Sequence, residues 1–173
     1  EQRITEAKKL LAEAGYSDAK PLTFELLYNT NENHKKNAVA AAALWKEALG
    51  FVNVTLTNQE WKTYLDTRRN GRQQMARAGW CADYNETSSF LNTLKSNNSG
   101  NYGKYKSAAF DEALTKSLMS DTTPEQRADF YKQAEAALDA DQPNVNVYHY
   151  VNARLVKPYV AGYSTKDPMD NFQ

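Results

Sequence analysis

The run W-C-A-D-Y-N-E, Trp80 to Glu86, places a thiol, two carboxylates three residues apart and two aromatic rings in one short stretch. Asp83 and Glu86 at that spacing suit acid–base work, and equally suit loop caps and hydrogen bonding. Cys81 is a nucleophile only beside an electropositive partner, and no cysteine-hydrolase signature surrounds it. Ser88-Ser89 lacks the G-x-S-x-G setting of a serine nucleophile. Neither G-x-G-x-x-G nor a P-loop is present, so no backbone cradle for a nucleotide is expected. One cysteine and two histidines, His34 and His149, exclude every Cys-based zinc pattern and give no metal site. No cofactor is implied, and catalysis is poorly supported.

The same residues serve binding better. A carboxylate at Asp83, at the end of an apolar strand and beside Trp80 and Tyr84, is a strong charge-assisted partner for an ammonium group. Arg68 and Arg77, with His34 and Lys35 at the start of a long helix, can receive a carboxylate. Together these groups suit a zwitterion with separated termini. By spacing alone the arginines read more readily as solvated surface charge.

The elements that must position these groups alternate. Ala7, Leu10, Leu11 and Ala14 lie at helical spacing within a helix predicted over 6–14, which Gly15 stops. LTFELLY (22–28) predicts a buried strand, and Asn29-Thr30-Asn31 is turn and cap chemistry. A helix is predicted over 32–49 with Val39, Ala42, Ala43, Trp45 and Leu49 inward and Gly50 closing it. A β-branched strand follows over 52–56, then a helix over 58–69 and a third strand over 75–80. Further helices are predicted over 88–94, 108–119 and from Pro124, where D-T-T-P-E is a strong start. A polar loop spans 96–103. Residues 145–151 alternate like a strand, with Leu155-Val156 continuing it, and the last dozen residues read as loop. Strand–helix–strand–helix–strand order implies an α/β fold with a mixed, partly parallel sheet flanked by helices. Ligands of such sheets sit at the carboxyl ends of strands. Those ends are Tyr28-Asn29, 58–61 and 79–86, all rich in polar and aromatic side chains.

The 173 residues are enough for one domain with a substantial core. Twenty-one basic and 21 acidic residues cancel, which argues against a nucleic-acid partner, since phosphate binding needs a positive field. The longest apolar run, Ala38 to Leu44, is far short of the ~20 residues of a membrane span. Glu1-Gln2-Arg3 forms neither a signal peptide nor a translation start, so the chain is expected to be cut or processed.

The stretch NQEWKTYLDTRRNGRQQMARAGWCADYNE (58–86) resembles the periplasmic oligopeptide-binding proteins, extracytoplasmic receptors of bacterial ABC peptide importers, most nearly the enterobacterial type. EAKKLLAEAGY, LLYNT, HKK, YKSAAFD, YVNARLVKP and GYSTKDPMDN fit the same family in order, so the likeness covers essentially the whole chain. It implies a non-enzymatic receptor of type II with two lobes, of which 1–173 is one, the C-terminal lobe, incomplete at both ends. The expected partners are short peptides with a free amino terminus, the other lobe and a membrane permease; the expected location is the periplasm. By this resemblance Asp83 pairs with the peptide α-ammonium. Main chain around Gly79, Trp80 and Cys81 bonds the peptide as an added strand. Arg68, Arg77 and His34 receive peptide carboxylates, and Asn29, Trp61, Trp80 and Tyr150 line side-chain pockets.

There are departures from the family. Thr87 and Asn146 stand where prolines are usual, His149 replaces a tyrosine, and Phe51 is an insertion. The family's partner for the cysteine of W-C-A-D is not in this sequence, and neither is the final strand, so an unpaired sheet edge and self-association are expected. The competing expectation is an isolated or repurposed α/β scaffold or interaction domain without a competent ligand site.

Overall fold

A computed structural model describes residues 1–151 and 155–162. The chain forms two compact units, Glu1–Gly79 and Trp80–Gln173.

The first unit is α/β. Helix α1 (Gln2–Glu13) is followed by strand β1 (Leu22–Asn29), helix α2 (Glu32–Leu49), strand β2 (Val52–Gln59), helix α3 (Trp61–Arg69) and a short strand β3 (Met75–Ala76). The strands are parallel in the order β2-β1-β3, with Leu22 opposite Val52 and Asn29 opposite Gln59. Central β1 is the most buried strand because Leu26, Leu27 and Tyr28 meet neighbours on both sides. Its core joins Leu26, Tyr28 and Ala38 to Trp45, Val54, Leu56 and Met75. The Asn31 side chain caps α2 by accepting from the Asn33 and His34 amides, as its residue type predicts. Gly50, at φ +80°, turns the chain out of that helix, and the carbonyl of Phe51 just after it accepts from Leu22 N–H at 2.9 Å.

Several expectations are corrected. The predicted helix over 58–69 begins at Trp61, because Asn58 and Gln59 continue the β2 ladder. The third strand is two residues long rather than six: past Ala76 only Arg77 N–H still reaches the sheet, at Leu27 O. In α2 Ala38 is buried and Ala42, Trp45 and Leu49 are half-buried on the expected inward face, while Val39 and Ala43 are exposed. Leu10 of α1 is also exposed, although its spacing placed it inside.

The second unit is helical among the described residues. Helix α4 (Ser88–Leu91) runs into a 3-10 turn (Asn92–Leu94), and α5 (Ala108–Ser117) and α6 (Pro124–Asp141) follow. Its core is Leu91, Phe110, Ala113, Leu114 and Ala134, with Tyr105, Tyr131, Ala137 and Leu138 packed against it. Thr123 and Gln126 form a reciprocal capping box with Pro124 in the first turn, the start that D-T-T-P-E predicts. The strand expected over 145–151 is absent: the segment is irregular, and Val145, Val147 and Val151 are exposed. Alternating β-branched residues supply strand propensity, but among the described residues no strand pairs with this segment. The predicted loop over the final dozen residues, and most of the GYSTKDPMDN match, lie outside the described residues.

Candidate functional site

In the first unit the candidate residues gather at the carboxyl edge of the parallel sheet. Asn29 ends β1 and lies opposite Gln59, which ends β2. The Oδ1 of Asn29 and the Oε1 of Gln59 are both buried without a hydrogen-bond partner, as is His34 Nδ1 in the first turn of α2. Buried acceptors are rarely left unpaired in a folded protein, so this edge is short of donors. Burial, and then the positive charge of Arg77, hold the His34 pKa below its ordinary value, against an opposing pull from the Asn29 main chain. The lowered pKa favours the neutral imidazole, which offers a carboxylate a hydrogen bond rather than a full charge.

Tyr64 organises the rest of this edge. It is 1% exposed, its hydroxyl donates to the Arg77 carbonyl, and the Arg68 side chain hydrogen-bonds to it. The Arg68 guanidinium lies 5.4 Å from the Tyr64 ring centre, and the exposed Trp61 ring stacks on Tyr64 at 5.9 Å. Burial pushes the Tyr64 pKa up despite both arginines, so the hydroxyl keeps its proton and stays a donor. One tyrosine thus ties together Trp61, Arg68 and Arg77, three residues that the sequence singled out. Tyr64 itself was missed: an aromatic at helical spacing in W-K-T-Y-L reads as core.

Residues 78–82 leave the sheet as irregular chain, with Gly79, Trp80 and Cys81 exposed. Among the described residues, their main-chain groups make no backbone hydrogen bond. Cys81 is a free thiol.

In the second unit Trp80, Asp83, Tyr84, Ser89 and Asn92 line a cleft of about 340 Å³ together with residues of the 98–102 loop. Asp83 is exposed and follows irregular chain, so it does not stand at the end of an apolar strand as expected. Its amide donates to Ser89 Oγ at 2.8 Å. Among the described residues its carboxylate has neither a hydrogen bond nor an ion pair.

Glu86, three residues on, is the opposite case. Its carboxylate accepts from Tyr131 and, at 2.9 Å, from Ser88, and Arg127 Nη1 stands 3.5 Å away. The Tyr131 bond, then Ser88 and Arg127, hold its pKa below the ordinary carboxylate value against a burial effect that raises it. Glu86 is thus consumed by internal hydrogen bonds, the structural half of its sequence reading. Tyr150 is exposed and packs edge-on against Tyr148 at 5.2 Å, and it does not line the cleft. A second cleft, about 300 Å³ beside Met119 and Phe130, holds none of the candidates. Among the described residues no group of three metal-ligating side chains occurs. No helix among them is long and apolar enough to cross a membrane.

Comparison with known proteins bears on both clusters. Residues 1–102 match the family model described as bacterial extracellular solute-binding proteins, family 5 Middle. The chain is 59% identical over 172 residues to the periplasmic oligopeptide-binding protein OppA of Salmonella typhimurium, covering 99% of this chain and 31% of that protein. It is 45% identical over 170 residues to the periplasmic murein peptide-binding protein MppA of Escherichia coli, covering 98% of this chain and 31% of that one. The crystal structure of Haemophilus influenzae OppA in complex with RPPGFSPFR matches with a TM-score of 0.90 at 55% identity, over 99% of this chain and 33% of that one. The chain thus spans about 31% of the length of these curated relatives. The likeness seen in 58–86 and in the flanking motifs is borne out, as is the α/β class.

Proposed function

The chain belongs to family 5 of the bacterial extracellular solute-binding proteins, and on that premise we propose that it binds short peptides with a free amino terminus, without catalysis, as part of the substrate-binding component of an ABC oligopeptide importer in the periplasm. The observation that carries this reading is Asp83: a carboxylate in a cleft, beside Trp80, that takes no internal partner among the described residues. Its neighbour Glu86 has three donors, so the loop does not lack groups able to satisfy a carboxylate. Leaving Asp83 open suits a cationic ligand group, and the α-ammonium is the cation every unmodified peptide carries.

The assignments follow from chemistry common to all peptides. The unpaired main chain of 78–82 has donors and acceptors for an extended backbone, the mode of strand addition. Arg68 and Arg77, held by Tyr64, take a carboxylate, with neutral His34 as a hydrogen-bonding neighbour. Asn29, Trp61 and Tyr150 are assigned to side chains. Affinity drawn from termini and backbone tolerates many sequences. Partners of the importer, a second lobe and a membrane permease, belong to the same proposal, as does self-association through the outer edge of β2.

The test is a titration of the purified chain with Ala-Ala-Ala and with its N-acetyl form, followed by amide NMR. Free-amino peptide is expected to bind more tightly, and Asp83→Asn to weaken peptides of different sequence by the same factor. Equal binding of both forms, or a loss confined to some sequences, would remove Asp83 as the anchor. An absence of binding to either peptide favours the scaffold reading.

A further inference from the structure

The loop that carries Asp83 is tied to helix α6 through a directed chain of hydrogen bonds. Ser88, fully buried, donates its only hydroxyl proton to Glu86 Oε2 at 2.9 Å. Tyr84 Oη lies 2.9 Å from Ser88 Oγ, and with the serine proton committed, Tyr84 must be the donor. The Tyr84 oxygen in turn accepts from Asn92 Nδ2 at 3.3 Å. Donation therefore runs from Asn92 to Tyr84 to Ser88 and ends on Glu86, which also receives Tyr131 and Arg127 from α6. Asn92 and Tyr84 line the same cleft as Asp83. Ser89, next to Ser88 and also buried, accepts the Asp83 amide. Chains of this kind strengthen one another and rigidify what they connect.

We propose that Glu86 is the positioning residue for Asp83: by gathering Ser88, Tyr131 and Arg127 it fixes the start of α4, and through Ser89, Tyr84 and Asn92 it fixes the wall of the cleft that receives the peptide ammonium. This rests on the reading of Asp83 as the ammonium partner. Glu86 touches no ligand; it acts through the loop. A neutral amide in its place keeps the shape but cannot accept from every donor, since its nitrogen turns an N–H toward one of them. The chain of donation then loses its sink.

The test uses Glu86→Gln, with Tyr131→Phe as a milder variant that removes one donor and leaves the carboxylate. Two quantities are read: hydrogen exchange at the Asp83 amide, and the ratio of affinities for Ala-Ala-Ala over its N-acetyl form. Glu86→Gln is expected to speed Asp83 exchange about tenfold and to cut the free-amino preference several-fold; Tyr131→Phe moves both the same way by less. In an Asp83→Asn background Glu86→Gln is expected to change peptide affinity no further. The proposal is overturned if Asp83 exchange is unchanged, if exchange quickens while the preference stays, or if the affinity loss persists without Asp83. If the unaltered chain shows no free-amino preference, the ammonium reading itself has failed and the positioning role falls with it. That case is told apart by its appearance in the unaltered chain, before any Glu86 variant is compared.

Discussion

Replacing Tyr64 by Phe removes one oxygen from a side chain that is 1% exposed and keeps the ring on which Trp61 and Arg68 rest. Two bonds go with that oxygen, the donation to the Arg77 carbonyl and the Arg68 side-chain bond. A net hydrogen bond contributes about 0.5–1.5 kcal/mol, and a buried carbonyl left unsatisfied costs about 1–3 kcal/mol. Arg77 N–H remains bonded to Leu27 O at 2.8 Å, so the main chain there stays anchored and the lower part of that range applies. A loss of about 1 kcal/mol is therefore expected in the first unit. It corresponds to about fivefold faster exchange of the slowest β1 amides and to a melting temperature lower by about 4–8 °C for a unit of this size. Function is expected to follow, because the carbonyl being held is that of Arg77. The preference for a peptide with a free carboxylate over its amidated form should fall in Tyr64→Phe and fall further in Tyr64→Leu, which also removes the aromatic face under Arg68, worth about 0.5–1 kcal/mol. Unchanged β1 exchange in Tyr64→Phe would show that the hydroxyl does not brace this edge. Lost stability with an intact carboxylate preference would show that it braces the fold and not the site.

His34 should titrate below its ordinary value of 6.5 in the free chain and move upward when a peptide carboxylate binds, read from imidazole resonances by NMR. The sign for stability follows from the lowered folded value: between the two pKa values the unfolded chain binds more protons, so the contribution is intact above about 6.5 and is lost as pH falls toward the folded pKa. A pH-independent stability of the first unit between 7 and 5 would contradict it. Thr123→Ala breaks the capping box at the start of α6 and should destabilise the second unit by about 1 kcal/mol, visible in exchange of the amides around Ala134. No change there would mean that Pro124 and packing alone start the helix.

The elements that could be read from the sequence are those whose ends carry their own chemistry. Asn31 and Gly50 bound α2, and Thr123-Pro124 opens α6, because a cap is a local event between near neighbours. The inward face of α2 was harder, since A-V-A-A-A-A-L offers no contrast between one face and the next, and Val39 looked more buried than Ala38. Strand ends depend on a partner elsewhere in the chain. Met75 to Trp80 and the 145–151 run have strand-like residues, yet only Met75 and Ala76 join the ladder among the described residues. The site divides the same way. Asp83, Trp80, Arg68 and Arg77 announce themselves by type, whereas Tyr64 hides as a core aromatic. Glu86 is settled by Tyr131, 45 residues away, which no local pattern encodes.

Asp83 and Glu86 show why residue type alone does not assign a role. They are the same functional group in one loop, three residues apart, and both would be written into an acid–base pair from spacing. Their surroundings separate them. Glu86 has its carboxylate occupied by a serine, a tyrosine and an arginine, so a ligand cation arriving there would have to displace bonds already made. Asp83 has only its main chain fastened, to Ser89, and presents its carboxylate to a cleft. A group held at the backbone and open at the head can give a charge to a ligand without first breaking an internal bond. The same division recurs in the first unit, where Tyr64 is fully engaged and buried while the acceptors of Asn29 and Gln59 at the sheet edge are left unpaired. In each unit a saturated residue and unsaturated ones stand in the same cluster, and the unsaturated groups are those with hydrogen-bonding or charge capacity left for a peptide.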